Sequence, residues 1–248
     1  MSGIAALSEL DGARFGRRVA KAAPESETEW RGTLDFCARH EVQLLIARID
    51  SARIALAQCM ERNGARLTDV LLQFRCARLT DAPPVHAGGF RIRACLPLEA
   101  DRVRELARAC FRGYASHYHA DPRLERDACD EVYADWAHRA CSDRKVAAEV
   151  LVAEENGQLL GFGALRMATQ EQAEGLLFGV APGARGRGIQ RALLAEFLAW
   201  AARRGAGSAT YQTQLGNIAA QKAVARAGFA PERSFLTFHL WLPPRSDA

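Results

Sequence analysis

The chain has 248 residues, 49% hydrophobic and 25% charged, with a formal net charge of +4 spread along its length. That size suits one or two globular domains, and so small a basic excess excludes a nucleic-acid binder driven by charge. Seven cysteines, an odd number without a CxxC pair, argue against a disulfide framework and against a zinc site, so no metal is expected.

The N-terminal stretch MSGIAALSELDGARFGRR has no apolar core before a cleavage site, and no run reaches membrane-spanning length. A cytoplasmic location without a membrane partner is the expectation. VQLLIARID, SARIALAQCMERNG and ARLTDVLLQFRCAR read as strand, helix and strand. TDAPPVHAGG, Thr80 to Gly89, has paired prolines and glycines that interrupt both periods, which predicts a linker and two domains, 1–82 and 83–248.

Beyond the linker FRIRA alternates as a strand. LEADRVRELARACFRGY is a helix with Val103, Leu106, Ala107 and Cys110 on one face. SHYHADP breaks the pattern, and RLERDACDEVYADWAHRA is a second helix. AAEVLVAEENGQLLGFGALRM is a hairpin turning on Asn-Gly. EGLLFGV, GIQRALLAEFLAWAARR, SATYQTQ, NIAAQKAVARAG and SFLTFHLWL then give strand, helix, strand, helix, strand. The early strand–helix–strand echoes this ending. Asp50 and Asn217 precede the two helices, and Gly64 and Gly228 follow them. This is either a half-length structural repeat or the ordinary look of such a unit.

VAPGARGRGIQRALL joins a strand to a helix. Arg185-Gly186-Arg187-Gly188 can point several backbone N–H groups at one place, and the helix start adds unpaired donors and a partial positive charge. This suits a pyrophosphate, although a tight turn without a ligand would use the same glycines. It is neither the dinucleotide fingerprint nor a P-loop.

The run V-x-P-x-x-R-G-x-G-I, with Asn217, Ala220 and a closing Gly228-Phe229, resembles the GCN5-related N-acetyltransferases over Phe90 to Leu242. The resemblance implies an α+β fold whose mixed sheet splays between two strands, with a smaller N-terminal α/β domain like half of that unit. It implies acetyl-CoA or another short acyl-CoA as co-substrate. The residues against it would be Phe178, Gly179, Val180, Arg185, Gly186, Arg187, Gly188, Ile189, Gln190 and Asn217. Gln190 stands where that superfamily usually has glycine or alanine, which implies altered contacts. RFGRRVAK, SHYHADPRLERDACDEVYADW and TQLGNIAA further resemble the TDP-fucosamine N-acetyltransferase family, which acylates the 4-amino group of a TDP-linked 4-amino-4,6-dideoxy sugar.

In such a reaction the amine attacks the thioester directly. A backbone N–H near Gly179 or Val180 would face the thioester carbonyl, with Gly179 as the site of a bulge or a close ligand approach. Glu174, six residues before Val180, is the candidate base. The usual acidic tyrosine position is Val224, leaving Tyr211 and His239 as substitutes. Acceptor contacts are expected from Ser116, His117, Tyr118, His119 and Asp121, with Tyr133, Gln214 and His239. The acceptor is expected to be a small-molecule amine on a nucleotide-linked sugar, and a homodimer is compatible. A different amine (a protein N-terminus, a polyamine or an antibiotic) and a non-catalytic acyl-CoA-binding module are the alternatives.

Overall fold

The computed structural model describes residues 5–79 and 89–243, so the expected linker lies, apart from Gly89, outside the described residues. Among the described residues no helix is long and apolar enough to cross a membrane.

The chain forms two compact units. The first holds the residues up to Leu72, then Ala115–Cys129, then those from Arg233 onward. The second holds Gln73–Tyr114 and Asp130–Glu232. The expected cut at 82/83 therefore misses two returns of the chain. The reason lies in the last strand, whose residues Phe235–Trp241 pair antiparallel with Asp50–Leu44.

In the first unit lie β1 (Ala6–Leu7), β2 (Val19–Ala22), β3 (Leu44–Asp50), the start of β4 (Arg66–Cys76) and the end of β10 (Ala230–Trp241). They run in the order β1-β2-β3-β10-β4. Helices α1 (Glu9–Phe15), α2 (Glu27–Arg39) and α3 (Ile54–Arg62) complete it. The sequence reading gave no expectation for α1 and α2. Ser26 caps α2 by accepting from the Glu29 amide at 3.2 Å, an S-x-x-E signature that could have announced it. Trp30, Leu45, Met60 and Phe238 fill the core, and the Trp30 indole donates to Asn63 Oδ1 at 2.7 Å.

The second unit carries β5 (Arg91–Ala94), α4 (Ala100–Phe111), most of α5 (Arg126–Ser142), β6 (Glu149–Glu155), β7 (Gln158–Met167), β8 (Gln172–Val180), α6 (Ile189–Arg203), β9 (Ser208–Gln214) and α7 (Ile218–Arg226). This is the expected order, with strands arranged β9-β8-β7-β6-β5. Asn156 and Gly157 turn the β6–β7 hairpin at φ 49° and 78°, as a two-residue primed turn requires. The echo is visible in the backbone: α3 and α7 are each followed by a glycine at φ near +90°, Gly64 at 88° and Gly228 at 92°.

Candidate active site

Strand β8 pairs with β7 along its length, but it pairs in parallel with β9 only from Gln172↔Ser208 to Gly175↔Tyr211. The β7 register shifts so that Ala164 opposes Leu177 while Leu165 opposes Gly175, leaving Leu176 as the extra residue. The bulge is therefore at Leu176, and not at Gly179 as expected. Such an insertion bends and twists its strand, and here β8 leaves β9 directly above it.

Gly179 answers to packing instead. A Cβ there would lie 2.7 Å from Phe162 and 3.0 Å from the Cys110 sulfur, so the glycine lets α4 lie close. Ala181 N donates to Leu160 O at 2.8 Å. Amides alternate sides along an antiparallel ladder, so Gly179 also faces β7. Phe178 and Val180 then aim their N–H groups into the gap that β9 has left. The Phe178 side chain is buried against Phe197 and Tyr211, with ring centroids 6.0 and 5.4 Å apart. Its contribution to the gap is its backbone.

Above β8 the chain makes a short turn, Pro182–Ala184, and enters α6 at Ile189. Gly186 and Gly188 both sit at φ 80°, and a Cβ on either would meet nothing within 4 Å. Left-handed backbone with open space beside it is a cradle that side chains would strain and fill. Among the described residues, none of the amides in 186–191 donates to a backbone carbonyl. A helix start leaves such donors unpaired, and diphosphate oxygens suit them. Arg185 donates to Cys110 O at 3.3 Å, and Arg187 pairs with Glu155 at 2.6 Å, so both guanidiniums are held on their own unit beside the turn. The Glu155 carboxyl is lowered chiefly by the Arg187 hydrogen bond.

Gln190 has a local explanation. It neighbours Tyr211, which is 7% exposed and whose hydroxyl burial pushes up against the opposing influence of Gln190. Tyr211 is thus a protonated core residue at the point where the strands part. Asn217 caps α7, accepting from Ala220 N at 3.2 Å. Val224, at the usual acid position, is fully buried packing.

Glu174 is a correction. Arg166 grips it through two nitrogens, at 2.8 and 2.6 Å. The ladder places it five β7 residues from the partner of Val180, roughly 16 Å along the strand at about 3.3 Å per step. An ion-paired carboxylate at that distance does not take a proton from an amine beside Val180. The sequence placed Glu174 on the right strand, but the length of the ladder and the cross-hairpin arginine decide against it.

Tyr114, which sequence reasoning missed, lines the same unit. Its hydroxyl donates to Gln214 Oε1 at the end of β9. Its ring meets Phe111 and Tyr133 edge-on at 5.3 and 5.2 Å, and Phe111 and Tyr133 stack at 4.6 Å. The expected Tyr133 and Gln214 therefore come together through it.

A split sheet, inward amides beyond a bulge and a glycine cradle at a helix start define an acyl-CoA-binding transferase fold. The chain belongs to the acetyltransferase (GNAT) family, whose sequence pattern matches residues 100–229 and whose co-substrate is acetyl-CoA. It is 32% identical over 145 residues to a spore coat polysaccharide biosynthesis protein, SpsD, of Bacillus subtilis, covering 58% of this chain and 48% of that one. A GCN5-related N-acetyltransferase from Sphaerobacter thermophilus shares its fold with a TM-score of 0.69 at 18% identity, over 98% of this chain and 78% of that one. A tandem GNAT protein from the clavulanic acid biosynthesis pathway does so at 0.67 and 14%, over 93% and 77%. The chain spans about half the length of the curated relatives it matches, 48% and 58%.

The remaining expected acceptor residues, Ser116, His117, Tyr118, His119, Asp121 and His239, lie in the first unit. Five of them form two hydrogen-bonded sets. Ser116 Oγ and His119 Nδ1 are 2.8 Å apart. Asp121 Oδ2 accepts from His239 Nδ1 at 2.8 Å and from Trp241 Nε1 at 2.7 Å, and His239 Nε2 is 2.9 Å from His117 Nδ1. Since Asp121 accepts only, His239 carries its proton on Nδ1 and a neutral His117 donates to Nε2. Tyr118 donates to the buried Asp11 at 3.2 Å, beside Lys21 at 2.5 Å. The Tyr118–Asp11 bond and the Phe15–Tyr118 ring contact at 5.4 Å tie α1 to SHYH within one unit.

Burial would raise the Asp121 carboxyl, but hydrogen bonds from His239, Trp241 and the Arg123 amide outweigh it and hold it at about 2. Burial pushes the His117 imidazole well down, helped by His239, Arg48, Lys21 and His119. A depressed histidine binds no proton in the folded state while the unfolded chain titrates near 6.5. The unfolded state then binds more protons, so stability falls as pH drops below about 6.5, by about 1.4 kcal/mol per pH unit for this one group. Urea unfolding at pH 7 and pH 5 should differ by about 2 kcal/mol, and His117→Gln should remove most of that difference. An unchanged slope in the variant would assign the pH dependence elsewhere.

Proposed function

We propose that the chain transfers an acetyl group from acetyl-CoA to the amine of a sugar, with a nucleotide-linked 4-amino-4,6-dideoxy sugar as the first class to test. The observation that carries this reading is the divergence of β8 from β9 beyond Gly175, which leaves two amides aimed into the gap between them. The Val180 and Phe178 N–H groups would stabilise the oxyanion that forms as the amine attacks. The cradle at 186–191 would hold the diphosphate, and the Gln190–Tyr211 contact would fix the helix start. The amine reacts in its neutral form, its proton passing to solvent. With Val224 buried, the CoA thiolate leaves without a tyrosine acid, which thiol-like acidity allows. The relative named for polysaccharide biosynthesis supports a sugar acceptor. So do the aromatic Tyr114 and Tyr133, which gather beside Gln214 within the second unit.

A panel of amines offered with acetyl-CoA, followed by thiol release, tests this. The expected result is turnover of a TDP-4-amino-4,6-dideoxyhexose well above simple alkylamines, polyamines and peptide N-termini. Turnover confined to another amine would retain the acetyltransferase and remove the sugar. Tight acetyl-CoA binding without transfer to any amine would favour the non-catalytic module that buried Val224 keeps in view.

A further inference from the structure

The seven cysteines are all free, but their surroundings differ. Burial pushes the Cys37 thiol up to about 11 and Cys110 to about 12, and Cys76 and Cys129 are buried. Two others meet. Cys95, just past β5, and Cys141, near the end of α5, place their sulfurs 3.8 Å apart, in contact, and both are partly exposed. They line a cavity of about 130 Å³ with Arg144 and Glu149, so a small reagent has access to the sulfurs. The Cys95 amide is fixed by Val150 O at 2.7 Å, which holds one side of the pair on the sheet while a helix holds the other.

We propose that Cys95 and Cys141 are a reversible dithiol–disulfide site that reacts with low-molecular-weight disulfides. A disulfide bond is about 2.05 Å long, so the two sulfurs must approach by under about 2 Å, a shift of the size that χ1 rotation produces. Cys95 is the attacking group. The contact with Cys141 is the largest influence lowering its thiol, with Arg93 and Arg102 assisting against burial and Glu99. The Cys95 thiolate attacks one sulfur of R–S–S–R, forming Cys95–S–S–R and releasing one thiolate. Cys141 then loses its proton, attacks the Cys95 sulfur and releases the second. The protein loses two hydrogens, and the reagent is reduced to two thiols. The site is independent of the transferase reading, since it uses neither the cradle nor the split strands.

The test is titration of the purified full chain with oxidised glutathione, followed by thiol counting in denaturant and peptide mapping. The reactive thiols should fall by two from the seven, a single cross-linked pair of peptides should contain Cys95 and Cys141, and dithiothreitol should restore both thiols. Cys141→Ser should instead stop at a stable glutathione adduct on Cys95. Seven thiols remaining in the wild-type chain, a glutathione adduct without the cross-link, or a cross-link joining other cysteines would each overturn the proposal.

Discussion

Replacing Gly186 and Gly188 together with valine will weaken acetyl-CoA binding about 30- to 1,000-fold while leaving the fold intact. Both residues hold φ 80°. Forcing an L-residue into that region costs roughly 1–2 kcal/mol each, so the pair costs roughly 2–4 kcal/mol. Relief of that strain would turn the amides of 186–191 away from a common point. Nothing else touches a Cβ at either position, so the loss falls on the ligand and not on the core. Gly183 lies one turn earlier, in open space and without a positive φ. Gly183→Ala should leave the dissociation constant unchanged. Calorimetry on the three proteins decides the matter: a double variant binding within threefold of the parent would remove the diphosphate from this turn.

The second large effect belongs to the first unit. Asp121→Ala should destabilise it by about 2–6 kcal/mol, roughly 1–3 kcal/mol for each of the two donors left unsatisfied. Asp121 is 7% exposed and accepts from His239, Trp241 and the Arg123 amide. Alanine leaves the imidazole and indole donors without an acceptor. Asp121→Asn keeps one carbonyl oxygen and should lose about 1–3 kcal/mol. Urea denaturation near pH 7 measures both. A loss under about 1 kcal/mol for the alanine variant would mean that water replaces the carboxylate, and the chain from Asp121 to His117 would have no structural weight.

The second unit was readable from sequence because its signals are local. Asn156-Gly157 demands a tight hairpin, the apolar period marks α4 and α6, and Gly186 and Gly188 mark a left-handed turn before a helix. What failed to show depended on contacts far apart in the chain. Tyr114 acquires its role from Gln214, a hundred residues away. Glu174 looked like a base until Arg166, across the hairpin, neutralised it. Gly179 suggested a bulge or a close ligand approach, but what crowds it is Phe162 and Cys110, which sequence spacing does not announce. The bulge itself fell on Leu176, a residue with no turn signature. The expected linker lies, apart from Gly89, outside the described residues, and no periodicity in SFLTFHLWL says which strand it will pair with. That pairing, with β3, returns the end of the chain to the first unit.

Gln190 stands in the first turn of the helix above the glycine cradle, and Tyr211 stands opposite Gly175 at the last rung shared by β8 and β9. Were acetyl-CoA held as proposed, with its diphosphate at the helix start and its thioester where the strands part, the span between those two places would act as a ruler, and a thioester on a truncated or extended arm would be out of measure at one end.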